Sequence, residues 1–181
     1  MCGFSLEGLV ELGFLSFAWT FDKLRELLSP HRSTLQELRV RQHGPAQEGL
    51  DRFDLHAFEN LHTLQICTVC LPTPEQACDL WLNPSLQRLV FESSRADGSR
   101  GIWWHFYDTD VDWLEEFASI ANERKVSGVS DLRIIEVICG TGDDKGPQTD
   151  SERCDIEANR SKAKAVVESL GFEFVWRTEI K

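Results

Sequence analysis

No stretch of this 181-residue chain approaches the ~18 or more consecutive apolar residues that a membrane helix requires, so no membrane partner is expected. Basic residues are in deficit. Nineteen Lys and Arg stand against thirty Asp and Glu, a formal net charge of −11 and a pI near 4.9. A field of that sign repels phosphate backbones, so no nucleic-acid partner is expected either. Cysteine is sparse: six residues, at 2, 67, 70, 78, 139 and 154, are too few to scaffold a chain of this length, and all are read as reduced thiols. No Lys or Arg precedes the apolar N-terminus, and Glu7 and Glu11 interrupt it, which excludes a secretory signal. Glycine follows Cys2 rather than Met1, and Thr178 to Lys181 is no lipidation signal. These absences point to a soluble intracellular protein, cytoplasmic or nuclear. There is no Gly-x-Ser-x-Gly elbow, and no Pro/Ser-rich linker divides the chain, so residues 1–181 read as a single domain.

What is present is a globular composition, 41% hydrophobic and 27% charged, with a long-range period. An apolar-x-x-apolar-x-apolar pattern recurs at Leu9/Leu12/Phe14, Leu35/Leu38/Val40, Leu61/Leu64/Ile66 and Leu86/Leu89/Phe91, with first positions 26, 26 and 25 residues apart. A fifth copy, Leu132/Ile135/Val137, follows after a longer gap. Steps of that size fall in the ~20–29 residue range of leucine-rich repeats. The last two positions of each triplet are two apart, so in an extended strand they share a face, while the first packs beneath the strand entry. One such unit buries too little surface alone. The expected fold is therefore α/β: a leucine-rich-repeat-like solenoid of about five irregular repeats, with a parallel sheet, helices on the outer side, and a C-terminal helix and strand. The competing reading is an ordinary α/β domain with evenly spaced strands.

The connections carry matching signals. Thr20 can cap a helix bearing Leu24, Leu27 and Leu28, which Ser29-Pro30 would stop. Leu55, Phe58 and Leu61, spaced by three, predict a tight helical turn. Thr73-Pro-Glu-Gln76 is a capping box with proline at the first helical position. Asp110 is expected to cap a longer helix with Val111, Leu114, Phe117, Ala118 and Ala121 inward. Thr149-x-x-Glu152 opens a helix through Ile156, Ala163, Val166, Val167 and Leu170, closed by Gly171, and Phe172 to Trp176 reads as a final strand. Two polar stretches, Ser93 to Gly101 and Gly140 to Pro147, read as surface loops.

Leu35-Gln-Glu-Leu38-Arg-Val40, the run Phe53 to Ile66, Leu86-Gln-Arg-Leu89-Val-Phe91 and the aromatic stretch Trp103-Trp104-His-Phe106 ahead of Val111-Asp-Trp113-Leu114 resemble the irregular leucine-rich repeats of fungal F-box-type proteins. The likeness runs from about Leu9 to Val137. It implies a non-catalytic protein–protein interaction module, the substrate-recruiting part of an F-box-like ubiquitin-ligase component. The chain begins almost at a repeat strand, so the F-box itself is expected to be absent. His43, Val69 and Ser94 stand where regular leucine-rich repeats carry asparagine after the strand.

Candidate chemistry is thin. Cys67-Thr-Val-Cys70 is a C-x-x-C, but zinc needs a second pair to complete a tetrahedron and none exists, so neither metal nor cofactor is expected. Asp108-Thr-Asp110-Val-Asp112 after an apolar run suggests the alternative function, a small α/β phosphoester hydrolase in which Asp108 attacks and Asp110 serves as the acid. A calcium loop is excluded because Trp113 and Ser119 replace the required glycine and glutamate. Gly140-Thr-Gly142 with Lys145 misses the spacing of a phosphate loop.

Alternation instead directs Leu15, Arg39, Arg41, Gln65, Cys67, Val90, Glu92, Glu136 and Ile138 to the sheet face opposite the buried triplets. This row is expected to be exposed and to run from a basic to an acidic end, suited to a protein or peptide partner. Arg39, Arg41, Gln65, Glu92 and Glu136, with Trp103 and Trp104 as aromatic anchors, are the expected partner-binding residues.

Overall fold

The computed structural model describes residues 8–14, 26–42, 54–67, 71–93, 95–97, 101–103, 106–141 and 150–180. The apolar triplets become strands because β-branched and aliphatic side chains alternate there with polar ones. With the C-terminal strand they form one six-stranded sheet from β1 (Gly8–Phe14), β2 (Leu35–Gln42), β3 (Thr63–Cys67), β4 (Arg88–Ser93), β7 (Ile134–Thr141) and β8 (Glu173–Ile180). The order is β1-β2-β3-β4-β7-β8 and every neighbouring pair is parallel. Each strand is thus laid beside the one before it, and the chain between must return across one side of the sheet.

Register brings the triplets together. Leu38, Leu64, Leu89, Ile135 and Phe174 lie side by side, as do Val40, Ile66, Phe91, Val137 and Trp176. The leading leucines Leu61, Leu86 and Leu132 lie just before their strands and are fully buried. Below the strands a ladder of peptide hydrogen bonds continues. His62 N–H donates to Gln36 O (2.9 Å), Gln87 N–H to His62 O (2.9 Å), Arg133 N–H to Gln87 O (2.9 Å) and Glu173 N–H to Arg133 O (2.8 Å). The first repeat departs from expectation: Val10 and Leu12, rather than Leu12 and Phe14, stand opposite Leu38 and Val40. Positions 10, 12 and 14 are all apolar, so alternation permits either register and only pairing with β2 selects one.

Three helices cover one face. Helix α1 (Pro74–Trp81) opens on the expected capping box: Gln76 N–H donates to Thr73 Oγ1 and Thr73 N–H to Gln76 Oε1, both at 3.3 Å. Replacing Thr73 with alanine removes that acceptor and should lower stability by about 1 kcal/mol, read by urea unfolding; a change near zero would mean water serves the helix start equally well. Helix α2 (Asp108–Val126) begins earlier than predicted. Tyr107 is its N-cap residue, and Asp110 in the first turn reaches back to accept the Tyr107 N–H at 2.8 Å. Its predicted inward residues, Val111, Leu114, Phe117, Ala118 and Ala121, are all buried. Helix α3 (Asp150–Ser169) buries Ala163 and Val167, and Gly171 closes it with φ +81°, a conformation that costs glycine little. The predicted cap Thr149 lies outside the described residues. The strand and helix side chains form one apolar core. Trp113, half-buried at the margin of that core, stacks on Phe117 (5.1 Å, 9°), and Phe91 stands edge-on to both.

The connections show further differences. The α-helical residues 26–28 end immediately before Ser29-Pro30, as expected, and the chain passes into a 3₁₀ turn, Ser29–His31; Thr20 and Leu24 lie outside the described residues. The predicted tight turns are present, with Phe58 N–H donating to Leu55 O (3.0 Å) and Leu61 N–H to Phe58 O (3.2 Å). Asn83, which sequence reasoning passed over, is a buried staple. Its Nδ2 donates to Leu55 O (3.2 Å), and its Oδ1 accepts the N–H groups of Ser85 and Leu86 (2.9 Å each). The stretch Ser93 to Gly101, read as a loop, contains strand pairing instead: β5 (Arg95–Asp97) and β6 (Gly101–Trp103) form an antiparallel pair. The residues between the two strands, 98–100, lie outside the described residues. In the second stretch Gly140 and Thr141 extend β7, and 142–147 lie outside the described residues. Among the described residues no helix is long and apolar enough to cross a membrane.

Candidate interaction face

The sheet face opposite the helices carries the predicted row. Arg39, Gln65, Val90 and Glu136 stand in direct register across β2, β3, β4 and β7, and Glu92 pairs with Ile138 two residues further along. Arg41 follows Arg39 in β2 opposite Gly13. Alternation and parallel register together place them on one face.

Their predicted exposure is corrected. Relative exposure is 4% for Gln65, 3% for Glu92 and 1% for Glu136, and Val90 and Ile138 are buried as well. Unpaired charge at such depth would be prohibitive, so these groups survive by pairing. Gln65 Nε2 donates to Glu92 Oε2 at 2.8 Å. Glu136 is held from both neighbouring strands. Arg88 in β4 donates through Nε to Oε2 (2.8 Å) and through a terminal nitrogen to the same oxygen, while Arg177 in β8 forms an ion pair with it, Nε lying 2.7 Å from Oε1. The predicted acidic end of the row is therefore neutralised. Arg88 and Arg177 were missed, although the alternation that selected Glu136 also puts them on its face. At the other end Arg39 Nε donates to Glu37 Oε1 at 2.9 Å.

The remaining predicted residues divide. Leu15 and Trp104 lie outside the described residues, as do the side chains of Arg41, Cys67 and Trp103; Trp103 itself pairs with Arg95 in the small hairpin. Of the aromatic group, Phe106 belongs to the core, edge-on to Trp176 at 5.4 Å, and Asn159 Nδ2 donates to its carbonyl at 3.1 Å. Tyr107 is exposed.

Asp108 and Asp110 stand two apart in the first turn of α2, a spacing at which helical side chains do not face each other. Asp110 spends its carboxylate on the Tyr107 N–H. Asp112 pairs with Lys162 of α3 at 3.0 Å, and this hydrogen bond holds the lysine above its ordinary pKa, so it is charged at neutral pH. Cys70 of the C-x-x-C lies outside the described residues, and among those described no group of three His, Cys, Asp or Glu is arranged to hold a metal ion. Burial pushes the Cys78 thiol up to about 12, outweighing the Arg124 guanidinium nearby, so it stays protonated and unreactive.

No family model, curated protein or solved structure matches this sequence.

Proposed function

We propose that the chain is a non-catalytic protein–protein interaction module with the architecture of a leucine-rich-repeat-like solenoid, the substrate-recruiting part of an F-box-like ubiquitin-ligase component. The observation that carries this reading is the register of the sheet: apolar residues one repeat apart lie next to one another, in a strand order that follows the chain. Cross-links between successive turns of the chain support it further. Leu55 N–H donates to Leu80 O at 2.8 Å, and Asn60 Nδ2 donates to Ser33 O at 2.7 Å, each joining residues about one repeat apart. Stacked units of this kind set side chains from successive strands in one row; its central residues are buried, and Arg39, Arg88 and Arg177 keep part of their side chains exposed for a protein partner. The F-box link rests on the resemblance of 35–40, 53–66, 86–91 and 103–114 alone.

The test reverses the charge at one end of the face. Arg39→Glu with Arg41→Glu leaves the core untouched, so the thermal unfolding midpoint should stay within a few degrees of wild type. A partner recovered by affinity capture with the wild-type chain should bind this variant at least tenfold more weakly. Undiminished capture by a folded double variant would reject the face as the binding surface.

A further inference from the structure

Sheet topology leaves β8 with one side unpaired. It is the last strand in the order β1-β2-β3-β4-β7-β8, and among the described residues no strand lies beyond it. A bare edge invites another strand, and proteins commonly blunt one with a proline, a bulge or a very short span. β8 has none of these. It runs eight residues, Glu173-Phe-Val-Trp-Arg-Thr-Glu-Ile180, without proline, and its register with β7 is unbroken.

One hydrogen bond sets the phase of the edge. Glu173 N–H donates inward to Arg133 O, so the peptide groups of 173, 175 and 177 serve β7 while those of 174, 176 and 178 point outward. Side chains alternate as well: Glu173, Val175 and Arg177 share the polar face, and Phe174 and Trp176 the helix face. Glu173 is exposed and takes part in no ion pair among the described residues. Arg177 is 59% exposed and meets Glu136 on its inner side.

We propose that β8 pairs antiparallel with β8 of a second copy, about a two-fold axis through Val175, and so joins the two sheets into one. Charge complementarity selects both the occupant and the register. Antiparallel pairing opposes residues of equal phase. About Val175 it sets Glu173 of each copy opposite Arg177 of the other, and Phe174 opposite Trp176, so an unlike-charge pair and an aromatic pair each form twice. Other axes do worse. Centred on Trp176 the pairing opposes Glu173 and Glu179, and centred on Arg177 it opposes the two arginines; like charges directly opposite repel. Centred on Phe174 only Glu173 to Val175 overlap, and centred on Thr178 those same residues pass the end of the other copy's β8. The net charge of −11 on each chain opposes association at long range, but charges beyond about 8 Å are screened at physiological ionic strength. Because both copies use the same edge, assembly stops at two chains. The inference does not depend on the interaction-module reading.

The test is the mass of the full chain in solution, by size exclusion with light scattering at micromolar concentration, which should be twice that of one chain. Glu173→Lys places a second cation against Arg177 and should weaken dimerisation at least tenfold. Arg177→Glu should do the same, and the two variants mixed should pair with each other, since every edge contact again joins unlike charges. Should Arg177→Glu fail to fold, because Glu136 loses a cation, cross-linking decides. At the axis the two Val175 Cα atoms form a non-hydrogen-bonded pair about 4.5 Å apart, within reach of a disulfide. Mild oxidation of Val175→Cys should therefore link two chains well above the wild-type level. Thr178→Cys should not link, because its two copies would stand six residues apart along the strands, about 20 Å. A monomeric wild type, a dimer indifferent to Glu173→Lys, folded variants that do not pair when mixed, or a linked Thr178→Cys with an unlinked Val175→Cys overturns the proposal. So does growth into filaments, the result expected if β8 meets β1 of the next copy head to tail.

Discussion

Removing both arginines that hold Glu136 should cost about 3–5 kcal/mol of folding stability. Glu136 is 1% exposed in the wild-type chain, flanked in β7 by Val90 and Val175 of the neighbouring strands, and the Arg88→Ala, Arg177→Ala double variant leaves its carboxylate there without a cationic partner. It keeps the desolvation cost of a buried charge and loses the charge-assisted hydrogen bonds from Arg88 and the ion pair with Arg177 that offset it. Adding Glu136→Gln should recover most of the loss, because a neutral amide is far less costly to bury. Urea unfolding of wild type, double and triple variants measures this directly. A loss below 1 kcal/mol in the double variant would mean that water reaches the carboxylate freely.

The second large effect is expected on the opposite side of the same sheet. Phe91→Ala should destabilise by about 3–5 kcal/mol. Phe91 is fully buried between Ile66 and Val137 in register and stands edge-on to Trp113 (5.3 Å, 74°) and Phe117 (6.2 Å, 83°). Deleting its ring leaves a void that strand backbones, fixed by pairing on both sides, cannot close. Phe91→Leu, which keeps much of the volume, should cost markedly less. Equal losses for the two variants would show that the aromatic contacts, rather than filled space, carry the stabilisation.

The two predictions concern opposite faces of the same sheet, and this marks how far sequence reasoning reached. Helix-side packing was legible because it follows from local periodicity: Leu64 and Ile66, Leu89 and Phe91, Ile135 and Val137 are each two apart, and Val111, Leu114, Phe117, Ala118 and Ala121 trace one helical stripe. Thr73 with Gln76, and Gly171, were legible for the same reason, since a cap is a matter of a few consecutive residues. Where several apolar residues alternate, as at Val10, Leu12 and Phe14, the pattern is degenerate and the register of β1 was misjudged. The antiparallel pair of β5 and β6 was missed because the stretch is polar and its strands are only three residues each, too short for alternation to mark.

For the opposite face, alternation found the right residues and the wrong environment. It placed Gln65, Glu92 and Glu136 on one surface and treated polar character as a sign of exposure, yet all three are buried. Their partners lie 27 residues away for Gln65 and Glu92, and 48 residues away for Arg88 and Glu136. No local rule couples positions so distant.

The order of residues alone determined the main-sheet strands from β2 onward and the long helices, their helix-side core residues, and how helix α1 begins and helix α3 ends, because each depends on neighbours within a turn or two of chain. Only the tertiary structure decided the depth of the polar face and the identity of its ion pairs. Burial and charge pairing depend on what adjacent strands bring to the same place, and that is settled when the sheet assembles.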